Sequence, residues 1–244
     1  MIEETKILLS LWEPGMTQTN LYHEALNSGR LPGVSARRLK NIVTECFGPR
    51  YLIENGRPAN YIKVLNPALS AKDIEQAFLI YTCRANKILF DFILEIFWPT
   101  YSSGRESISN NDAREFVIRS NQQGLTKKPW SESTIRRVSA YLTGACADFG
   151  LLEGGNRVSR RILPFRIEAK TVIMLAYELH FDGLGDNAIV NHPDWGIWGL
   201  DRYEVVSELK RISLQGALLV QTAGETVRIG WRCKNEKELA NAIS

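Results

Sequence analysis

The chain has 244 residues, which gives room for about two domains. Its hydrophobic fraction of 44% and charged fraction of 23% are those of an ordinary soluble globular protein. The first residues do not show the order of a charged segment, an apolar segment and small residues that indicates a secretory signal, so none is expected. The net charge of +3 is unevenly distributed, because residues 112–167 carry ten Lys/Arg against five Asp/Glu and the rest of the chain nets −2.

Residues 1–70 are predicted to form an N-terminal module that resembles a winged helix. A helix is expected over Thr17–Asn27, and a second helix is capped by Ser35. Alternating apolar residues around a turn at Asn55-Gly56 then predict a hairpin with strands at Tyr51–Ile53 and Tyr61–Leu65. The pattern is helix, turn, helix and β-ribbon.

The second helix of this module carries cations close to its start. Arg37, Arg38 and Lys40 lie away from the apolar stripe of that helix, so we expect them to contact nucleic acid. Residues 1–70 net only +2, from eight Lys/Arg against six Asp/Glu, so this contact is expected to be the weaker of two.

Residues 71–109 are predicted to contribute a long central helix, beginning at Ser70 and closed by Pro99. The stretch Ala71–Trp98 is the most apolar of the chain, but seven charged residues interrupt it. It therefore falls short of the roughly 20 consecutive apolar residues of a membrane helix. We expect a buried spine in a protein without membrane association.

Residues 110–167 give the most informative pattern, a basic winged helix-turn-helix. A helix begins after Ser131, and its core stripe consists of Ile135, Val138, Leu142, Cys146 and Phe149. The opposite face is cationic near the helix N-terminus and carries small residues beyond it. Gly150 ends the helix, and a ribbon is predicted from Leu151 to Leu163 with its turn at residues 154–156.

Cations on such a helix and ribbon can contact phosphates on both sides of a groove. The alternative is a basic surface that binds a protein. The predicted nucleic-acid-binding residues of this module are Lys127, Lys128, Ser131, Ser133, Arg136, Arg137, Arg157, Arg160 and Arg161.

Residues 168–244 net −3 and are predicted to contain two helices and a hairpin. The helices span Glu168 to His180 and Asp201 to Leu214, the second with a capping box formed by Asp201 and Glu204. The hairpin turns at Ala223-Gly224. The fold class expected for the whole chain is mainly α with short β-hairpins, with winged helix-turn-helix-like modules around a central long helix.

The sequence contains little that predicts catalysis, a cofactor or a metal. The glycine-rich places lack the context of a phosphate loop or a dinucleotide fingerprint. The four cysteines are far apart and are interpreted as small apolar residues in a reducing cytoplasm. Structural roles are expected for the metal-capable residues of one segment, which are His180, Asp182, Asp186, His192 and Asp194.

Three stretches resemble the BrxA family, the small A proteins of bacterial BREX phage-exclusion systems. They are Pro129–Ile135, His192–Trp195 followed by Gly199-Leu200, and Val220–Trp231. The resemblance implies a non-enzymatic, mostly helical component of a defence island that binds double-stranded DNA. Its neighbours would include a methyltransferase, a phosphatase-like protein and ATPases. The family has also been described as an inner-membrane protein and likened to the RNA-binding factor NusB.

The sequence therefore predicts a cytoplasmic protein without cofactor, metal or small-molecule substrate, which binds duplex DNA chiefly through phosphates. Other BREX proteins are possible partners. Two alternatives remain open, namely a structural adaptor whose basic surface docks an acidic BREX subunit, and an RNA-binding factor similar to NusB.

Overall fold

The structure, a computed structural model, describes residues 2–126, 128–155, 158–214 and 216–244. It confirms a mainly helical fold with two short antiparallel sheets. The α-helices are α1 Ile2–Leu11, α2 Gln18–Asn27, α3 Ala36–Asn41, α4 Gly48–Tyr51, α5 Arg57–Leu65, α6 Ala71–Ala85, α7 Lys87–Phe92, α8 Trp98–Ser102, α9 Asn110–Gln122, α10 Glu132–Asp148, α11 Ala169–Phe181, α12 Asp186–Val190, α13 Arg202–Ser213 and α14 Glu236–Ile243. The strands are β1 Ser107–Ser109, β2 Ser159–Arg161, β3 Leu218–Ala223 and β4 Thr226–Trp231.

Shorter helical turns connect several of these helices. π-Helical turns at Ile42–Phe47 and Ile93–Phe97 join α3 to α4 and α7 to α8. 3₁₀ turns lie at Glu54–Gly56, Asn66–Ala68 and Pro193–Trp198.

The chain divides into two compact units, each made of segments that are distant in the sequence. Unit 1 consists of Met1–Ala85, Ile167–His192 and Asp201–Ser244, and unit 2 of Asn86–Arg166 and Pro193–Leu200. The basic segment predicted to bind nucleic acid thus belongs almost entirely to unit 2.

The two helices predicted in the N-terminal segment are confirmed as α2 and α3, and Ser35 caps α3 as predicted, whereas the Thr17 cap was not predicted. The side chain of Thr17 accepts a hydrogen bond from the backbone N–H of Asn20 at 3.2 Å, at the start of α2. The hydroxyl of Ser35 accepts one from the N–H of Arg38 at 3.3 Å, at the start of α3. Each hydroxyl satisfies one N–H group that the first turn of a helix leaves without a partner.

The hairpin predicted between Tyr51 and Leu65 is wrong, because this segment is helical. The Asn55-Gly56 pair lies in a 3₁₀ turn, and Gly56 is the N-cap of α5 with a left-handed φ of +81°. A Cβ at Gly56 would lie 2.4 Å from a ring carbon of Trp12, so this close approach requires glycine. The apolar residues after the turn are buried on one face of α5.

The long helix predicted from Ser70 to Pro99 is interrupted. Asn86 has φ −129° and ψ 81°, which separates α6 from α7, and the first segment of unit 1 ends at the residue before it. Neither glycine nor proline occurs at this break, so the sequence gives no sign of it.

Helix α11 lies at the centre of unit 1, where Thr171 to Leu179 are all buried. The Tyr61 hydroxyl donates to the carbonyl of Met174 at 2.7 Å, and the Tyr177 hydroxyl donates to that of Ala217 at 2.6 Å. These hydrogen bonds connect α11 to α5 and to the segment that precedes β3.

One carboxylate is buried on α11. An oxygen of Glu178 accepts hydrogen bonds from the Tyr81 hydroxyl at 2.6 Å and from the Arg84 guanidinium at 2.8 Å, both on α6. A buried carboxylate is tolerated only where donors of this kind replace its hydration.

The C-terminal segment follows its prediction closely. Asp201 and Glu204 form the expected capping box of α13, and β3 and β4 form the expected hairpin, with Val220 opposite Ile229. Helix α14 follows the hairpin and was not predicted.

In unit 2, β1 pairs with β2, so that Ile108 lies opposite Arg160. The inner part of the predicted ribbon is confirmed by an antiparallel bridge between Leu152 and Ile162. Residues 156 and 157, at the end of the predicted turn and the start of the predicted second strand, lie outside the described residues. Among the described parts of the chain, no helix is long and apolar enough to cross a membrane.

Removing the Arg84 guanidinium is expected to destabilise unit 1. In Arg84→Met the buried Glu178 carboxylate keeps the Tyr81 hydroxyl but loses its cationic partner, which should lower the free energy of unfolding by roughly 3 kcal/mol. Lys72→Met is the matched control, because its ion pair with Glu168 is largely exposed and should contribute less than about 1 kcal/mol. Equal effects of the two substitutions in urea denaturation would contradict the importance of the buried pair.

Candidate nucleic-acid interface

Helix α10 has the two faces that the sequence predicts. Of the predicted core stripe, Ile135, Leu142 and Cys146 are buried, and Val138 and Phe149 are half-buried. This face packs against α9, the strongest helix pairing of unit 2. The opposite face is therefore left for solvent or a ligand.

The turn between α9 and α10 is fixed by Asn121. Its side-chain oxygen accepts from the backbone N–H of Trp130 at 2.9 Å and from the Thr126 hydroxyl at 3.0 Å. Sequence analysis did not identify this residue, because an Asn near the end of a helix gives no sign of which loop groups it will contact.

Ser131 occupies the N-cap position of α10, but its hydroxyl caps no backbone N–H. It lies 3.1 Å from the Ser133 hydroxyl and 3.2 Å from the Thr134 hydroxyl. Ser131 and Ser133 are both exposed, so the start of α10 presents a cluster of hydroxyl groups.

Arg136 and Arg137 are exposed on the first turns of α10. Within the ranges that the structure describes, neither guanidinium forms an ion pair or a hydrogen bond. Lys128, in the preceding turn, is exposed as well, and Lys127 lies outside the described residues. The cations at the start of this helix are thus available to an external anion.

The two described arginines of the ribbon differ in their surroundings. Arg161 is exposed, whereas Arg160 is half-buried and donates from Nη1 to the carbonyl of Glu153 at 3.0 Å. This hydrogen bond of Arg160 stabilises the ribbon. Only part of its guanidinium therefore remains to contact a phosphate. Arg157 lies outside the described residues.

Cys146 is fully buried beneath this surface. Burial raises the pKa of its thiol to about 12, although the charge of Arg160 opposes that rise. The thiol remains protonated at neutral pH, in agreement with its interpretation as a small apolar residue.

The second group of predicted cations lies on α3 in unit 1. Arg37, Arg38 and Lys40 are all exposed. Arg38 lies close enough to Glu4 that its charge contributes to lowering the pKa of that carboxyl group, after a larger effect of backbone hydrogen bonding. All three cations of α3 are therefore exposed to an external anion.

The metal-capable residues near the end of α11 form contacts within the protein. Asp182 pairs with Arg57, and the Asp186 carboxylate accepts from the N–H of Ile229 and from the indole of Trp231. No group of three or more potential metal ligands occurs in the part of the chain that the structure describes.

Helix α9 begins with a capping box that sequence analysis did not identify. The Ser109 side chain accepts from the N–H of Asp112, and the Asp112 carboxylate accepts from the N–H of Ser109 at 2.7 Å. Partial burial raises the pKa of Asp112, but hydrogen bonds from Ser109 and Arg105 outweigh it, so the net pKa is lowered.

Comparison with family models found one match, to the model described as BrxA, over residues 1–178. No match was found among curated proteins or among solved structures. The matched region covers α1 to α10 and most of α11, and therefore includes both groups of predicted cations.

Replacing Asp112 with Ala is expected to destabilise unit 2 by about 1 kcal/mol at pH 7, because the α9 cap is lost. Since the folded pKa is lowered, the carboxylate stabilises the fold above its unfolded pKa of about 3.9, and this contribution disappears as the pH falls through the folded value. Urea denaturation should therefore show the two proteins converging in acid.

The control for this prediction is Asp148→Ala, which removes an exposed carboxylate from the last residue of α10. A carboxylate at a helix C-terminus is not stabilising, so this variant should be as stable as the parent protein at pH 7. A stability difference for Asp112→Ala that is independent of pH would contradict the role of its charge.

Proposed function

The chain belongs to the BrxA family, which gives it a role in a BREX system, and from this premise we propose that it binds duplex DNA chiefly through phosphate contacts. In this proposal the protein is a non-enzymatic component of phage defence that acts in the cytoplasm, where it meets DNA and other BREX proteins. The observation that carries the proposal is the exposed pair Arg136 and Arg137 on α10.

The order of elements in unit 2 supports this proposal. Strand β1 leads into the helix pair α9 and α10, the inner ribbon follows, and β2 returns to pair with β1. This order is typical of a winged helix-turn-helix, in which the second helix of the pair enters a groove and the ribbon contacts the backbone. We propose that α10 is the recognition helix.

The surface chemistry favours contact with phosphate over reading of bases. Arginine and hydroxyl groups, which are typical phosphate ligands, occupy the start of α10 at Ser131, Ser133, Arg136 and Arg137. Farther along the same helix, Ala140 and Gly144 present no group that could hydrogen-bond to a base edge. We therefore expect affinity with little sequence preference.

The double variant Arg136→Glu/Arg137→Glu is expected to lose most duplex binding, because both side chains project away from the buried face of α10. Fluorescence anisotropy with a random-sequence duplex at several salt concentrations would measure the loss, and circular dichroism should be unchanged. Binding of the parent protein should weaken log-linearly with salt.

The matched control is Arg228→Glu/Lys237→Glu, which changes the net charge equally on exposed residues of unit 1. Similar losses of duplex binding in both double variants would mean that overall charge, and not the position of the arginines on α10, determines the affinity. If the α10 variant bound duplex as well as the parent protein, the surface would be better explained as a docking site for an acidic BREX subunit. Stronger binding of RNA than of DNA of equal length would favour the RNA-binding alternative.

Replacing Arg37, Arg38 and Lys40 together with Ala is expected to weaken duplex binding less than changes on α10. Each neutralised phosphate contributes roughly 0.9 to the salt slope, so the slope should flatten by up to about 2 to 3 units. An unchanged slope would mean that α3 does not contact DNA and would favour a protein partner for this surface.

A further inference from the structure

A small notch lies between the start of α9 and the outward face of α10. Its volume is about 190 Å³, which exceeds the space of several water molecules at roughly 30 Å³ each. Its lining residues come from both helices and are Asn110, Asn111, Arg114, Arg136, Ser139 and Ala140. The notch thus brings two guanidinium groups and two side-chain amides to one concave place.

Hydrogen bonds to neighbouring residues position the Asn110 amide and the Arg114 guanidinium in the notch. The side-chain oxygen of Asn110 accepts from the buried hydroxyl of Thr143 at 2.7 Å, so its amide nitrogen is the group that remains to donate. Arg114 uses Nε and Nη2 on one oxygen of Glu132, at 3.2 and 2.8 Å. An arginine has five N–H donors, so this pairing leaves several of them for a second anion.

The remaining lining residues set the charge and the depth of the notch. Arg136 forms no ion pair within the described ranges. Its guanidinium is therefore the cation of the notch that is free to bind an anion. The Ser139 hydroxyl is buried and donates to the carbonyl of Ile135, which leaves a floor without charge. Two acidic groups lie beside the notch. Glu132 is largely exposed and pairs with Arg114, and Glu115 accepts a hydrogen bond from the Asn111 amide at 2.7 Å.

We propose that this notch holds one phosphate group of a nucleic-acid backbone, with Arg136 as its main ligand and Arg114 and the Asn110 amide as supporting donors. The proposal rests on the proposed function, which it deepens by assigning one phosphate to a defined place. In the absence of nucleic acid, the Glu132 carboxylate occupies Arg114. A phosphate in the notch competes with that carboxylate for the donors of Arg114.

The notch distinguishes this proposal from a diffuse attraction between a basic surface and DNA. In a diffuse attraction, only changes of charge alter the salt dependence of binding. A phosphate bound in a notch is also lost when an uncharged side chain fills the space. Ala140→Leu makes that change, because Ala140 is exposed and lines the notch.

Gly144→Leu is the matched control, one helical turn farther along the same helix. A Cβ at Gly144 meets no heavy atom within 4 Å, and this residue does not line the notch. Both substitutions add apolar bulk without changing the charge. Only Ala140→Leu is expected to exclude the phosphate.

The first experiment follows the side-chain amide signals of Asn110 and Asn111 by NMR while inorganic phosphate is added to the full chain. Saturable shifts are expected in the parent protein and in Gly144→Leu, and they should be absent in Arg136→Ala and in Ala140→Leu. Glu132→Gln should bind phosphate more tightly, because the competing carboxylate is removed. Absence of shifts in the parent protein would overturn the proposal.

The second experiment measures the salt slope of random-duplex binding for the parent protein, Ala140→Leu and Arg136→Ala. Ala140→Leu and Arg136→Ala should each flatten the slope by roughly 0.9, the value for one phosphate contact. Equal slopes for Ala140→Leu and the parent protein would contradict phosphate binding in the notch, but they would not contradict DNA binding by unit 2. If phosphate shifted the amide signals but the protein bound no duplex, the proposed function would be contradicted. The notch would then be an anion-binding site without a role in DNA binding.

Discussion

The burial of residues 171–179 of α11 is the constraint on which unit 1 depends. Nine consecutive residues of this helix, 171–179, are buried, so no face of it is left for solvent. Polar side chains on this stretch then need partners from other parts of the chain, although the second carboxylate oxygen of Glu178 is buried without a hydrogen-bond partner among the described residues. Tyr81 and Arg84 of α6 supply the donors for Glu178, and the Tyr177 hydroxyl bonds the backbone on both sides of the C-terminal hairpin. Segments that are distant in sequence are thereby joined in one core.

Unit 2 is organised differently, because its second helix buries only one face. Helix α10 packs on α9 through Ile135, Leu142 and Cys146, and the capping box of α9 and the side chain of Asn121 fix the start and the end of α9. The exposed face of α10 is consequently presented on a well-packed support. A surface held in this way can contact a rigid ligand such as a duplex without a large entropic cost of ordering.

The structure also changes the meaning of the positive charge in residues 112–167. Arg114 pairs with Glu132 and Arg119 with Glu95, and Arg160 donates to a backbone carbonyl. In the net charge these arginines weigh the same as Arg136 and Arg137. The guanidinium groups of Arg136 and Arg137, however, have no partner among the described residues. The local arrangement therefore concentrates the available charge at the start of α10, where a small set of substitutions can test it.

The sequence by itself determined the elements whose signals are local. Caps at Ser35 and Asp201 and the apolar spacing of α10 define helices within a few residues. The C-terminal hairpin follows from alternation around Gly224. The family resemblance was also present in the sequence. The exposed positions of Arg136 and Arg137 followed from helical periodicity alone.

Tertiary structure decided the features that depend on distant partners. The Asn55-Gly56 turn begins a helix because the ring of Trp12 packs against Gly56, and β1 exists because its three residues pair with β2 about fifty residues later. The break at Asn86 and the notch between α9 and α10 likewise have no local signal. Residues far apart in the sequence determine these features, and periodicity and caps describe only neighbours along the chain.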